Sequence, residues 1–283
     1  MKSDSELLTW NLILKEKPFL VFGILNITPD SFSDGGIYTE SQLIRKQFLK
    51  LIDDGADAID VGAESTRAGA IEVVSKNEIV RLTPFLNLLN SEDHKKTLLS
   101  IDTRHSDTAR IAIKNGFQII NDVSCATFDT KMSEVMAESK SLVIIMHSRG
   151  TPQTMNTLAN YEDVVSEVTY ELSNHCERLM QEGVDRGRIM VDPGIGFAKT
   201  PEQGIQLIES ISKIKTDLGF PMMVGVSRKT ITSFMLSGDP QNVPFDQRDN
   251  ISAEIAMKLK LEGIDAVRVH NVAKTIETLL TVE

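Results

Sequence analysis

The chain reads as a single-domain α/β protein, a (β/α)8 barrel of the TIM type. Three observations carry that reading. Eight short apolar runs each lead into polar or charged residues at their C-terminal ends. Helix-like segments separate the runs, so strand and helix alternate eight times. The length of 283 residues suits one barrel of about 250 residues with short extensions.

In chain order, residues 1–18 form a polar leader carrying the apolar patch Leu7, Leu8, Trp10, Leu12 and Leu14, expected to pack on the N-terminal end of the barrel. The barrel itself is expected over 19–283. Its strand runs are FLVFGILN (19–26), DAIDVGAEST (57–66), TLLSIDT (97–103), FQIINDVS (117–124), SLVIIMHS (141–148), RIMVDPG (188–194), PMMVGVSRK (221–229) and IDAVRVHN (264–271). Helical segments are expected over 40–54, 75–91, 106–115, 130–139, 161–183, 201–217, 248–262 and 272–281. In 161–183, Val164, Val165, Val168, Leu172, Cys176 and Leu179 make a 3.6-period stripe suited to a sheet face. Three loops are long or unusual: 27–36, 62–70 and 237–250. The first two are rich in Gly, Ser, Thr and Asp and follow strand C-termini, where mobile catalytic loops are expected.

Composition narrows the function classes. Hydrophobic content of 41% and charged content of 25% are those of an ordinary globular chain. A net charge of -10 argues against nucleic acid as the main partner, because phosphate neutralisation needs clustered basic residues. It leaves room for a small anionic substrate, since charges beyond about 10 Å are largely screened in salt. Two cysteines cannot form a disulfide framework and lack metal-ligand spacing, which points to a reducing cytoplasm. Neither a signal pattern nor an apolar stretch of membrane-spanning length is read.

A barrel of this kind brings its C-terminal strand ends to one rim, where chemistry sits. Asn26, Asp60, Asp102, Asn121, His147, Asp192, Lys229, Arg268 and His270 are therefore expected at one mouth. Asp102, Asn121 and Asp192 present acceptors and an amide suited to the edge of an aminopyrimidine-type heterocycle; the bland alternative is that each caps the next turn or helix. Lys229, Arg268 and His270 follow strands seven and eight, whose loops commonly bind phosphate in this fold. Arg268 offers a bidentate fork, with a barrel-end ion pair as its bland alternative. Asn26 is a plausible oxygen ligand for a hard cation. His147 reads as structural rather than catalytic, and Cys125 as a free thiol.

Eight segments then carry a resemblance. GILNITPDSFSDGG (23–36), DVGAESTRAGA (60–70), SIDT (100–103), IINDVS (119–124), MHSRGTPQTM (146–155), DPGIGFAKT (192–200), GVSRKT (225–230) and RVHNV (268–272) occur in the order found in the dihydropteroate synthases, the folate-pathway enzymes targeted by sulfonamides. The chain resembles that family over nearly its whole length. The resemblance implies a usually dimeric barrel that condenses p-aminobenzoate with 7,8-dihydropterin-6-ylmethyl diphosphate, using Mg2+ and releasing pyrophosphate. It implies that Asp102, Asn121, Asp192 and Lys229 hold the pterin, and that Asn26 helps bind Mg2+ and pyrophosphate. Arg67, Arg268 and His270 would contact pyrophosphate. Phe197, Lys229 and Thr230 would shape the p-aminobenzoate site with Thr66 and Phe32. Asp34 and Asp102 would lie near the carbon that loses pyrophosphate, so Asp34, Asp102, Lys229 and Arg268 are the expected catalytic set.

The chain departs from the usual family pattern at Ala68 for proline, Ile195 and Ala198 in DPGIGFAK, Thr230 for serine and Asn271 for aspartate. None of these removes an expected pterin ligand. Two other readings are a pterin-dependent methyltransferase on a related barrel and a pterin-binding paralogue without synthase activity. The SRK lysine and the long TPDSFSDGG loop favour the synthase.

Overall fold

The computed structural model describes residues 7–28, 40–89, 96–238 and 243–282. Its eight strands are β1 (Leu20–Asn26), β2 (Ala58–Gly62), β3 (Leu98–Asp102), β4 (Ile119–Asp122), β5 (Leu142–Met146), β6 (Ile189–Asp192), β7 (Met223–Val224) and β8 (Ala266–Val269). All pair in parallel, in the order β6-β5-β4-β3-β2-β1-β8-β7. A single parallel bridge, Val191 to Met222, brings β6 to β7 and closes the ring. The expected barrel is present, with one thin seam.

Strand alternation sorts the side chains into two bodies. Leu20, Phe22, Ala58, Ile119, Leu142, Ile144, Met190, Met223 and Ala266 point inward and pack with Trp10. The intervening Val21, Ile59, Val61, Leu99, Ile120, Val143, Val191 and Val267 face outward and build the larger core under the helices. Trp10 lies on α1 (Trp10–Glu16), fully buried, and its indole N–H donates to the Val143 carbonyl at 3.3 Å.

The outer helices are α2 (Glu40–Asp53), α3 (Ser75–Leu89), α4 (Ser106–Lys114), α5 (Met132–Ser139), α6 (Val164–Gln181), α7 (Pro201–Glu209), α8 (Ile211–Leu218), α9 (Thr230–Ser237), α10 (Phe245–Leu261) and α11 (Val272–Leu279). The stripe on α6 is buried as its spacing requires, through Val164, Val168, Leu172, Cys176 and Leu179. Three expectations need correction. The expected loop 237–250 is already helix from Phe245 on, because Pro244 stands at the N-cap of α10. The span 201–217 is two helices, because Ser210 leaves helical geometry between α7 and α8. The seventh strand is two residues long rather than nine, because the chain turns at Val226–Lys229, with Arg228 at φ 57, and starts α9 at once. That early turn sets Ser227 and Lys229 at the rim.

Candidate active site

The inward rows of the barrel change character two residues above the apolar plug. Asp60 follows Ala58, Ser100 follows Leu98, Asn121 follows Ile119, Asp192 follows Met190 and Arg268 follows Ala266. Strand register then lines up Asn26 with Gly62, Gly62 with Asp102, and Asp102 with Asn121. Gly225 marks the point of convergence on the far wall. A Cβ there would lie within 4 Å of Arg268, the Lys229 ammonium and an Asp192 oxygen.

Asp60 is the organising acceptor. It is fully buried and receives Ser100 Oγ at 2.6 Å, Asn121 Nδ2 at 3.0 Å and Arg268 Nε at 2.5 Å. Arg268 sends its second arm to Asp102 Oδ2 at 2.7 Å. The ion pair that was the bland alternative for Arg268 is thus formed, with two carboxylates, and it lies inside the mouth. Burial lowers the Arg268 pKa, but Asp60 and Asp102 outweigh it and hold the guanidinium above its ordinary value. Burial drives Asp102 up to about 7 against the pull of Arg268. Asp192 is also raised by burial, opposed by Lys229 and by the Gly194 N–H, which donates to it at 2.7 Å.

Lys229 bridges the sixth and seventh units. Its ammonium donates to the Ile195 carbonyl at 2.6 Å and sits 4.6 Å from the centre of the Phe197 ring. Burial lowers its pKa to about 8, with Asp192 resisting. His270 shares a 3.0 Å hydrogen bond with Ser227 Oγ and is pushed down to about 3 by burial and by Arg228. It is therefore neutral near pH 7. Thr230 opens α9 at the surface, and Lys229 gives that helix no side-chain cap. The departure Asn271 serves the structure: its side chain caps α11 through Lys274 N and donates to Asp249 at 3.2 Å.

The loop after β2 is held on one side. Gly69 N donates to Pro152 O at 2.8 Å, Gln153 Nε2 to Ala70 O at 3.0 Å, and buried Glu64 pairs with Arg104 at 2.7 Å. Arg67 and Ala68 stay exposed near the loop tip, and Arg67 is near enough for its charge to lower the pKa values of Lys229 and His270. Thr66, Arg104, Phe128, Thr151 and Phe197 are among the residues lining a cavity of about 380 Å³ beside this loop. Phe32 and Asp34 lie outside the described residues.

His147 does not join the mouth. It is 1% exposed, behind the β6 turn, between Lys199 and Glu171. Cys125 is a buried free thiol whose pKa burial pushes well up, so it is inert. Two features are not legible in the sequence. The DVGAEST run places Asp60 at the rim but gives it no role, and nothing in a lone GIGFAK announces the burial of Lys199.

The chain matches the family model for pterin binding enzymes over residues 22–270. It is 40% identical over 253 residues to a dihydropteroate synthase of Synechocystis, covering 89% of this chain and 85% of that one. It belongs to the dihydropteroate synthase family. A Streptococcus pyogenes dihydropteroate synthase is 36% identical, covering 89% of this chain and 90% of its own. The Xanthomonas albilineans dihydropteroate synthase solved with 4-aminobenzoic acid superposes with a TM-score of 0.84 at 32% identity, covering 93% and 92% of the two chains. The same Xanthomonas enzyme has been solved with 7,8-dihydropteroate, and it matches at a TM-score of 0.81 and 30% identity over 93% of this chain and 92% of that one. The chain is accordingly a transferase of folate synthesis.

Proposed function

We propose that this mouth condenses p-aminobenzoate with 7,8-dihydropterin-6-ylmethyl diphosphate through the residues just described. The observation that carries the assignment is the pairing of Arg268 with both Asp60 and Asp102. It builds a polar chamber with both charge signs over an apolar floor. Asp102, Asn121 and Asp192 meet the ring N–H groups and carbonyl of the pterin, and Lys229, beside Asp192, adds a donor. Arg67, Arg268 and His270 take the diphosphate. Phe197, Lys229, Thr66 and Thr230 surround the arylamine, whose carboxylate gains from the uncapped N-terminus of α9.

As the methylene carbon loses pyrophosphate, positive character grows there. Fixed carboxylates, Asp102 foremost, stabilise it, while the Arg268 charge and the guanidinium N–H groups not given to Asp60 and Asp102 stabilise the departing anion. The arylamine nitrogen then attacks carbon and releases its proton to the departed pyrophosphate or to water, so no covalent enzyme intermediate is required. Residues 62–70 belong with this step as a cover that keeps water from the cation; the other loop expected to close, 27–36, lies outside the described residues beyond Thr28. Asn26 offers a neutral amide oxygen at the end of β1, and no group of three His, Cys, Asp or Glu among the described residues could hold a metal alone. That donor set fits Mg2+, which takes few protein ligands and completes its shell with phosphate oxygens and water. Bound there, the ion would supply positive charge at the leaving group.

The working enzyme in this proposal is a cytoplasmic homodimer. Exposed Met235 and Leu236 on α9 and Phe245 on α10 support a subunit contact, and two buried free thiols suit a reducing compartment. No helix among the described residues is long and apolar enough to cross a membrane.

Turnover with both substrates, read as pyrophosphate release and dihydropteroate formation, tests the assignment and separates synthase from methyltransferase or silent binder. Arg268→Lys keeps a charge and loses the fork. Its kcat/KM is expected to fall about tenfold or more, the value of a hydrogen bond to a charged group. Wild-type turnover in a folded Arg268→Lys protein would remove the fork from the mechanism.

A further inference from the structure

Behind the Phe197 turn lies a row of charged side chains that no step above uses. The Lys199 ammonium is buried, 2.8 Å from His147 Nδ1, and donates to the Phe197 carbonyl at 3.0 Å. His147 Nε2 lies 2.9 Å from Glu171 Oε2 on α6. Arg149 grips Glu171 and reaches Glu167 at 2.8 Å, and its guanidinium lies 3.9 Å over the Tyr161 ring. Tyr161 OH donates to the Ala198 carbonyl at 3.0 Å. The motifs MHSRG and DPGIGFAK, more than 40 positions apart, are thus one assembly.

The assignment of protons follows from the neighbours. Glu171 is held at about 2 by its hydrogen bond to His147, and burial pushes His147 down to about 4. A neutral imidazole gives its Nε2–H to the carboxylate and turns its Nδ1 lone pair toward Lys199. Burial lowers Lys199 to about 7, and as amine or ammonium it has one N–H for the fixed Nδ1 acceptor and another for the Phe197 backbone. From the mouth, Lys229 holds the Ile195 carbonyl of the same turn. Gly194 is pressed so close to β5 that a Cβ would fall 1.9 Å from the His147 carbonyl oxygen. The turn is gripped on both sides, and Phe197 is the large side chain it contributes to the mouth cavity.

We propose that Lys199 and His147 are positioning residues that set the Phe197 wall of the arylamine pocket through the Lys199–His147–Glu171 row. The inference rests on the reading above that Phe197 walls p-aminobenzoate. Its signature is selective: the KM for p-aminobenzoate rises while the KM for the pterin diphosphate, held by Asp102, Asn121 and Asp192, stays put. Lys199→Met is expected to raise the p-aminobenzoate KM about tenfold, the factor set by one hydrogen bond to a charged group. His147→Leu should match it. His147→Asn, whose amide oxygen can take the place of Nδ1, should restore most of the wild-type value. Glu171→Gln, at the outer end of the row, should show a smaller shift of the same kind and serves if Lys199→Met does not fold. Phe197→Ala is the reference. If it raises the p-aminobenzoate KM while the Lys199, His147 and Glu171 variants do not, the positioning role is overturned and the wall stands. If Phe197→Ala leaves that KM unchanged, both fall. Parallel shifts in the two KM values across the folded variants would also overturn the proposal.

Discussion

The lower and upper halves of the barrel interior are made by the same strands and obey different rules. Below, Leu20, Phe22, Ile144, Met190 and Met223 meet Trp10 in a plug held by shape and dispersion. Above, Asp60, Ser100, Asn121, Arg268 and Asp102 form a network in which each member satisfies another. An apolar layer can trade one methylene for a neighbour's rotamer. The polar layer loses a whole partner at each deletion, and the group left behind, fully or largely buried, recovers little from water. One residue of advance along a strand would exchange the inward and outward sets, so register decides both halves at once.

The strongest way to break the contrast is a pair of substitutions on adjacent layers. Asp60→Ala takes one of two carboxylates from Arg268 and the shared acceptor from Ser100 and Asn121, and each group left without its partner costs about 1–3 kcal/mol. Phe22→Leu, one layer down, trims the plug without emptying it and should cost about 1–2 kcal/mol and leave both KM values alone. Urea unfolding of the two proteins measures this, and comparable losses would erase the distinction.

A milder probe is pH, which acts on the upper half only. Asp102 titrates at about 7, raised by burial, so its negative charge appears as pH rises through that value. Lys229 titrates at about 8, lowered by burial, so its positive charge disappears as pH rises further. With both charges needed, kcat/KM should peak between about 7 and 8 and decline on either side. Asp102→Asn should abolish the acid limb while lowering the maximum; an acid limb that survives that substitution belongs to another group.

The smallest effect concerns the turn after β6, at the rim of the upper half. Ala198 is held at φ 48, and Gly194 and Gly196 at φ 68 and 81. A non-glycine residue in that region costs roughly 1–2 kcal/mol. Ala198→Gly relieves that strain but adds freedom to the unfolded chain, so a gain of up to about 1 kcal/mol is expected from thermal melts. A loss would mean that the alanine methyl packs better than its backbone suffers.

Much of this architecture is legible in the sequence because period-2 alternation and polar strand ends are local signals. Asp102, Asn121, Asp192, Lys229, Arg268 and His270 can be placed at one rim from their positions in runs alone. Strand β7 reads too long, since PMMVGVSRK is apolar enough to continue and only the needs of α9 make it turn. The break at Ser210 is hidden because the residues on both sides are good helix formers. The role of Asp60 depends on Arg268, 208 positions away, and that of Lys199 on His147, 52 away. Pairings of that kind leave no trace in either neighbourhood.

Trp10 is the only tryptophan in the chain, and its indole is sealed at the floor with Phe22 6.4 Å away, ring centre to ring centre. The molecule therefore carries one indole fluorophore, at the end of the barrel opposite the chemistry. Its emission should be blue-shifted in the folded enzyme and indifferent to occupancy of the mouth, apart from light absorbed by the pterin itself. It should turn red only when the strands part. In a refolding trace it would report closure of the ring around Val143, to whose carbonyl it is tied, and so time the assembly of the scaffold separately from the return of activity.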